Sequence, residues 1–260
     1  MANFLEQVTP LIITYNEEAN IRRTLSKLTW ANKILVVDSG STDATLDIAK
    51  SSDKVEVRHR PFDDFASQCN FGLEHVATAW VLSLDADYEL SNELVAELNN
   101  LRPDDATGGY QSNFIYRIYG QPLRASLYPP RIVLYRKLGA SYHNEGHAHR
   151  VVVRGNILKL RYPIFHDDRK PLSRWFSSQQ RYALQEAEHL TSADRSALST
   201  VDRIRQASWP GPLLALPYVL LVKGCLFDGW AGWLYALQRL VAETMISIAV
   251  VNARLEARRN

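Results

Sequence analysis

The chain has 260 residues, with 30 lysines and arginines against 28 aspartates and glutamates and a hydrophobic content of 46%. That length buries a sizeable core, as one large α/β domain or a domain with an appendage, and a formal net charge of +2 gives no general electrostatic case for nucleic acid. The two cysteines, Cys69 and Cys225, show no metal-ligand spacing and are expected to be buried thiols of a reducing compartment; the opening residues lack the basic-then-apolar pattern of an export signal.

Residues 8–14 are an apolar run that ends in Tyr-Asn-Glu-Glu, and Ile21, Leu25 and Leu28 then recur at helical spacing. The reading is a strand followed by a helix, with Asn16 as cap and two glutamates at the helix's positive end. Residues 34–37 form a second buried strand, ending in Asp-Ser-Gly-Ser-Thr-Asp at 38–43. There Ser41 or Thr42 is expected to cap a helix carrying Leu46, Ile48 and Ala49. Residues 55–59 alternate as a third strand, and Asp64 precedes a helix through Gln68, Asn70 and Leu73. Residues 81–84 are a fourth strand, apolar enough to be buried on both faces. It ends abruptly in Asp85 and Asp87, and Ser91 caps a helix with Leu94, Leu98 and Leu101. Strand then helix, four times over, implies a parallel sheet with right-handed crossovers.

After Pro103 the pattern changes. Residues 110–119, 131–136, 151–154 and 158–162 read as strands joined by turns, an antiparallel extension of the sheet and the usual place for a second substrate. A polar helix over 173–190 and a polar linker over 191–206 follow. Residues 213–227 are apolar apart from Lys223 and broken by Pro217, and 230–251 carry Trp230, Trp233, Leu237, Val241, Met245 and Ile248 at helical spacing. Neither stretch is an uninterrupted span of about 20 apolar residues. Tryptophans, a lysine and a basic tail (Arg254, Arg258, Arg259) fit helices lying in a membrane interface. The competing reading is a pair of core helices or a dimer contact.

Acids end the first, second and fourth strands: Glu17, Asp38, and the pair Asp85 and Asp87. Open α/β sheets bind ligands at that edge. Carboxylates placed together there repel and lose hydration, so a cation should compensate them. Hard oxygen ligands suit magnesium or manganese bridging to a phosphorylated ligand. No Gly-x-Gly-x-x-Gly follows the first strand and no Gly-Lys-Ser/Thr loop occurs, which removes the common dinucleotide oxidoreductase and ATPase readings.

Three of these stretches, Thr-Tyr-Asn-Glu-Glu at 14–18, Val-Val-Asp-Ser-Gly-Ser-Thr-Asp at 36–43 and Leu-Ser-Leu-Asp-Ala-Asp at 82–87, resemble the opening motifs of the family 2 glycosyltransferases in order and spacing. Gly-Gly-Tyr at 108–110, His-Asp-Asp at 166–168 and Phe-Asp-Gly-Trp-Ala-Gly at 227–232 resemble, more loosely, the bacterial lipopolysaccharide-core glucosyltransferase branch. The resemblance implies a GT-A nucleotide-sugar-binding fold, a mostly parallel α/β sheet with an antiparallel extension, and inversion at the anomeric carbon. It implies that Thr14, Tyr15, Glu17 and Asp38 hold the nucleobase and ribose. Asp85 would lie near ribose and metal, Asp87 would bind Mg²⁺ or Mn²⁺ directly, and His166 is a candidate further metal or phosphate contact. Inversion needs a base for the acceptor hydroxyl. The family draws it from the antiparallel half, here Tyr-His-Asn-Glu-Gly-His-Ala-His-Arg at 142–150, with Glu145 as the choice and His147 as the alternative. Arg131 and Arg150 are candidates to steady phosphates.

The expected organisation is a catalytic domain over 1–170 (nucleotide-sugar half 1–103, acceptor half 104–170), a polar helix and linker over 171–208, and membrane-associating helices over 209–260. The expected reaction moves a hexose from a UDP-glucose-like donor to a hydroxyl of a lipid-linked glycan such as lipopolysaccharide core. The enzyme would sit in the cytoplasm, peripheral on the inner face of the membrane. Two other readings stand beside it. A metal-dependent sugar nucleotidyltransferase would want a glycine- and arginine-rich turn after the first strand, which Thr-Tyr-Asn-Glu-Glu does not supply. A non-catalytic membrane scaffold has no use for Asp38, Asp85 and Asp87.

Overall fold

Leu11 and Ile12 are neighbours in sequence, yet they lie in two different hydrophobic clusters on opposite sides of one sheet. The computed structural model of the chain describes residues 3–124, 129–145, 148–194, 196 and 198–259. They fall into two compact units, Met1–Arg117 with Ser126–Arg169, and Ile118–Ala125 with Lys170–Asn260.

After a 3₁₀ turn, Phe4–Gln7, the first unit runs through β1 (Val8–Thr14), α1 (Ile21–Ser26), β2 (Ile34–Asp38), α2 (Thr45–Lys50), β3 (Val55–His59), α3 (Phe65–His75), β4 (Trp80–Asp85), β5 (Tyr88–Leu90) and α4 (Asn92–Asn100). β6 (Thr107–Ser112) and β7 (Phe114–Ile118) follow, then β8 (Gln121–Pro122), which is counted with the second unit. The first unit resumes with β9 (Arg131–Arg136), β10 (Ser141–Glu145), β11 (Ala148–Val152), β12 (Asn156–Lys159) and β13 (Ile164–His166).

Seven strands make the main sheet, in the order β12-β6-β9-β4-β1-β2-β3. β4, β1, β2 and β3 are parallel, as the repeated strand–helix pattern requires. β9 turns antiparallel to β4, and β6 to β9, which is the expected extension. Period-two alternation puts Ile12, Val36, Leu82 and Leu84 on one face, against Ile21, Ala49, Leu94 and Leu98 of α1, α2 and α4. Leu11, Leu35, Val37 and Val81 face the other way, against Ala66, Cys69 and Leu73 of α3. With both faces covered the central strands read as continuous apolar runs.

Several local expectations differ from the structure. Asn20, not Asn16, stands at the N-cap of α1, and Asn16 sits at φ 53°, in the left-handed region that Asn tolerates. Ala44 is the N-cap of α2, because Ser41 and Thr42 are drawn into bonds with the β1–α1 turn. The single strand expected over 110–119 breaks at Asn113: β6 stays in the main sheet, while β7 pairs in parallel with β13, itself antiparallel to β5. β12 joins β6 in parallel rather than antiparallel. The Gly-Gly pair has a packing cause, since a Cβ on Gly108 would lie 1.9 Å from the Arg154 carbonyl oxygen.

In the second unit α5 (Leu172–Ser192) packs on α8 (Gly229–Ala257) through Ala183, Ala187, Leu190, Ile246 and Val250. The stretch expected as a polar linker contains α6 (Thr200–Gln206), started by a reciprocal Ser199–Asp202 capping box. α7 (Pro210–Pro217) runs into a π-helical turn, Tyr218–Val222, and a short 3₁₀ helix, Cys225–Asp228. Gly232 lets α8 start close to that turn: a Cβ there would lie 1.8 Å from the Cys225 carbonyl oxygen.

Candidate active site

Sheet register brings the acidic ends of β2 and β4 to one edge, on either side of β1. Thr14 at the end of β1 lies opposite Asp38 of β2, and Ile13 lies opposite Asp85 of β4. Strands in a ladder are about 4.8 Å apart, so Asp38 and Asp85 flank β1 at about 10 Å.

The first two motifs are one hydrogen-bonded body. Asn16 N donates to Ser41 Oγ at 2.8 Å, and Thr42 N donates to Asn16 Oδ1 at 2.7 Å. Glu17 N donates to Thr45 Oγ1 at 2.6 Å, and Ala44 N to Glu18 Oε2 at 3.1 Å. Asp38 is 1% exposed, and its carboxylate accepts from Gly40 N (2.8 Å), Ser41 N (2.9 Å) and Ser41 Oγ (2.5 Å). Those three bonds fix the carboxylate within its own turn, at the strand edge beside Thr14. Asp43 accepts from Thr45 hydroxyl and amide and from the Glu18 amide. Burial pushes its pKa up, and those bonds outweigh it and hold the carboxyl below the usual range. Thr14 is buried and its Oγ1 meets no partner among the described residues, whereas the Tyr15 ring is half exposed.

The Asp-Ala-Asp turn is held from beneath. Ala86 is buried in the core, and its carbonyl accepts from Thr24 Oγ1 at 2.7 Å. Only a small residue fits between the two acids. His166 ends β13 opposite Tyr88, and its Nε2 lies 3.0 Å from Asp87 Oδ2 across 79 positions of sequence. The rings of Tyr116 and Tyr88 wall the imidazole at 4.4 and 5.3 Å between centroids. Burial works against its protonated form; Asp87, by charge and hydrogen bond, outweighs it with help from Asp85 and Asp168, so His166 titrates above the usual histidine range.

Behind this pair lies a polar brace that the sequence pattern did not disclose. Asn20 is fully buried and uses every bond its amide offers. Nδ2 donates to Glu17 Oε2 (2.8 Å) and Asp168 Oδ1 (2.9 Å), and Oδ1 accepts from Arg23 Nη2 (2.7 Å) and Arg169 N (2.9 Å). Asp167, also fully buried, accepts from Arg23 Nη1 at 3.1 Å and Arg169 Nη2 at 2.7 Å. The β1–α1 turn and the segment after His166 are thus clamped together.

The β10–β11 hairpin is anchored at its root. Asn70 of α3 donates through Nδ2 to the Tyr142 carbonyl (2.9 Å) and accepts through Oδ1 from the Tyr142 amide (2.8 Å). The Tyr142 hydroxyl donates to Ser83 of β4 at 2.8 Å and lies 2.9 Å from the Tyr135 hydroxyl. Glu145 is the last residue of β10 and pairs with Ala148 in the ladder. Gly146 and the alternative base His147 lie outside the described residues, as does the Glu145 side chain, so Glu145 is placed only by its backbone. Arg131 begins β9, and Arg150 lies in β11 opposite His143.

A test of fit for a divalent ion rests on donor chemistry. Among the described residues no three His, Cys, Asp or Glu side chains cluster tightly enough to hold one alone. Asp87 and His166 supply a carboxylate and an imidazole at one point, with Asp85 two residues away. That set suits Mn²⁺ or Mg²⁺ sharing its remaining positions with phosphate oxygens and water.

A parallel α/β half with acidic strand ends, continued by antiparallel strands and a polar hairpin, is the GT-A glycosyltransferase fold. The structure aligns over 96% of its length with 86% of a mannosyltransferase from Pyrobaculum calidifontis, solved with GDP-Man and Mn²⁺, at a TM-score of 0.50 and 16% identity. That likeness is one of fold. The chain belongs to glycosyl transferase family 2, whose sequence model matches residues 10–152 and so spans all three opening motifs. It is 32% identical over 147 residues to an uncharacterized glycosyltransferase of Rickettsia typhi, covering 54% of this chain and 50% of the relative. It is 33% identical over 98 residues to the lipopolysaccharide core biosynthesis glycosyltransferase LpsC of Rhizobium meliloti, covering 35% of this chain and 36% of the relative. The chain thus spans half or less of the length of these curated relatives.

Proposed function

We propose that the protein is an inverting glycosyltransferase that moves a hexose from a nucleotide-diphosphate sugar, UDP-glucose-like, to a hydroxyl of a lipid-linked glycan such as lipopolysaccharide core. The observation that carries the reading is the Asp87–His166 pair, 3.0 Å apart at the strand edge that also bears Asp85 and Asp38. A strand end that gathers acids and one imidazole is suited to a cation-bound diphosphate, and membership of the family supports reading that diphosphate as part of a sugar donor.

In this reading Thr14, Tyr15, Glu17 and Asp38 hold the nucleobase and ribose, Asp38 also fixing the Gly40–Ser41 turn. Thr14 offers a buried hydroxyl and Tyr15 an exposed ring on which a base stacks. Asp87, with Asp85 and His166, would hold Mg²⁺ or Mn²⁺. Once bound, the ion neutralises charge on the departing diphosphate. Glu145, or His147 in its place, takes the proton from the acceptor hydroxyl. The lipid-linked acceptor rests on the likeness to LpsC and on the apolar second unit, and it implies a cytoplasmic enzyme peripheral to the inner face of the membrane.

The test is a donor screen without acceptor, following slow hydrolysis of a panel of nucleotide sugars with Mn²⁺ added or chelated. One preferred donor, hydrolysed only with the ion present, is the expected result. Hydrolysis of none, together with no Mn²⁺-dependent nucleotide binding, would overturn the proposal.

A further inference from the structure

The second unit carries an unusual surface. Large apolar side chains stand in solvent along residues 209–237: Trp209 is 71% exposed, Leu213 67%, Leu221 67%, Val222 72%, Phe227 71% and Trp230 57%. Scattered exposed hydrophobics are ordinary, but a run of this density marks an interaction face.

Its charge identifies the occupant. Between 209 and 237 the only charged residues are Lys223 and Asp228. The Asp228 side chain is 5% exposed, and its carboxylate accepts from Arg124 N at 2.9 Å and Arg124 Nε at 3.2 Å. What reaches solvent is therefore cationic: Lys223 beside the Tyr218 ring at 5.4 Å, and Arg124, 65% exposed, beside the Phe227 ring at 5.5 Å. An apolar face with a cationic rim and no exposed carboxylate is complementary to hydrocarbon beneath anionic headgroups. A second copy docking by two-fold symmetry would bring the same cationic rim against itself.

The mode of contact follows from α8. Its neighbourhood, Cys225–Ala257, is long and apolar enough to cross a membrane, with mean hydropathy 1.4 in its best window. Yet Glu243, midway along α8, accepts from Arg205 at 2.6 Å and Arg239 at 2.9 Å, and Arg205 also binds Glu186 of α5 at 3.0 Å. Moving α8 into hydrocarbon would carry that ionic cluster with it or break it, and either is costly. The helix is pinned by charge to α5 and α6.

We infer that the face built from α7, the Tyr218–Val222 and Cys225–Asp228 turns and the start of α8 inserts into one leaflet of an anionic phospholipid bilayer without crossing it, Lys223 and Arg124 meeting headgroup phosphates. The inference rests on the lipid-linked acceptor for its purpose and on the unit's own surface for its geometry.

The test sediments the full chain with phosphatidylcholine vesicles, with and without phosphatidylglycerol. Binding to the mixed vesicles is expected, several-fold weaker without phosphatidylglycerol and reversed by an alkaline carbonate wash. Leu221→Ser with Phe227→Ser should weaken binding at least about tenfold, as loss of two buried apolar side chains requires. Lys223→Glu should weaken it about fivefold or more. Acceptor-free donor hydrolysis by each variant should equal the parent's, so failure of the transferase reading shows separately as a parent without hydrolysis that still binds vesicles. Absence of sedimentation, resistance to carbonate, or variants that shift oligomeric state in light scattering while leaving vesicle binding unchanged would each overturn the inference.

Discussion

At Asp87 the consequence of removing one charge is separable from the consequence of removing a contact. Asp87→Asn keeps the size and one oxygen facing His166 while deleting the negative charge. If the carboxylate's task is to hold a cation at the diphosphate, transfer should fall about 10³-fold, the scale seen when a preorganised charge-stabilising group is lost. The melting temperature should change little. Steady-state kinetics beside a thermal melt check this, and near-normal turnover removes the cation role. Asn20 makes the opposite case. Asn20→Ala leaves Glu17, Arg23, Asp168 and the Arg169 amide short of one bond each inside the protein. A loss of about 3 kcal/mol is expected, since each buried group left unsatisfied costs about 1–3 kcal/mol and partial relaxation offsets some of it. Asn20→Asp should be no milder, because it turns two donated bonds into repulsion with Glu17 and Asp168. Urea melts decide it; Asp as stable as Asn would mean that the four bonds are not formed together. The acids themselves were visible in sequence because they follow buried strands. Asn20 was not, since its partner Asp168 stands 148 positions away and nothing local marks an asparagine as a hub.

At the level of elements, hydrophobic periodicity located β1 to β4 and the helices α1 to α4, though not the short β5 between Asp87 and Ser91. What it misjudged was the use of polar turn residues. Ser41, Thr42 and Asn16 have the chemistry of helix caps, and here the same groups bond one turn to the other because the sheet sets β1 beside β2. α6 escaped for the reverse reason: its Ser199–Asp202 box is a sequence signature, but no apolar stripe accompanies it. The hairpin that carries Glu145 depends on a similar long-range tie. Asn70→Ala removes both bonds to the Tyr142 backbone and should cost about 1–3 kcal/mol in stability. A hairpin loosened at its root misplaces its tip, so kcat should fall more than KM rises. An unchanged kcat alongside lowered stability would show that the hairpin only packs.

For the molecule as a whole, the two thiols report on the two units separately. Cys69 lies in the first unit and Cys225 in the second, and both are buried. Burial, with Asp85 as the smaller cause, pushes the Cys69 thiol far above its ordinary 9.0. A thiolate is the reactive form, so native Cys69 should resist alkylation at pH 8 by at least about 100-fold relative to unfolded chain. The same shift sets a pH dependence. A folded pKa above the unfolded one leaves stability intact below pH 9.0 and removes it as pH rises beyond, because the unfolded chain then releases a proton that the native protein keeps. At pH 10 that single group should cost on the order of 1 kcal/mol. Cys69→Ala should lack this component, so the difference between parent and variant in urea melts should shrink between pH 8 and pH 10. Mass-resolved alkylation across a urea series then reads each unit through its own cysteine. Equal labelling of native and unfolded Cys69 would mean that α3 does not cover that side of the sheet, and the strand edge built upon it would lose its support.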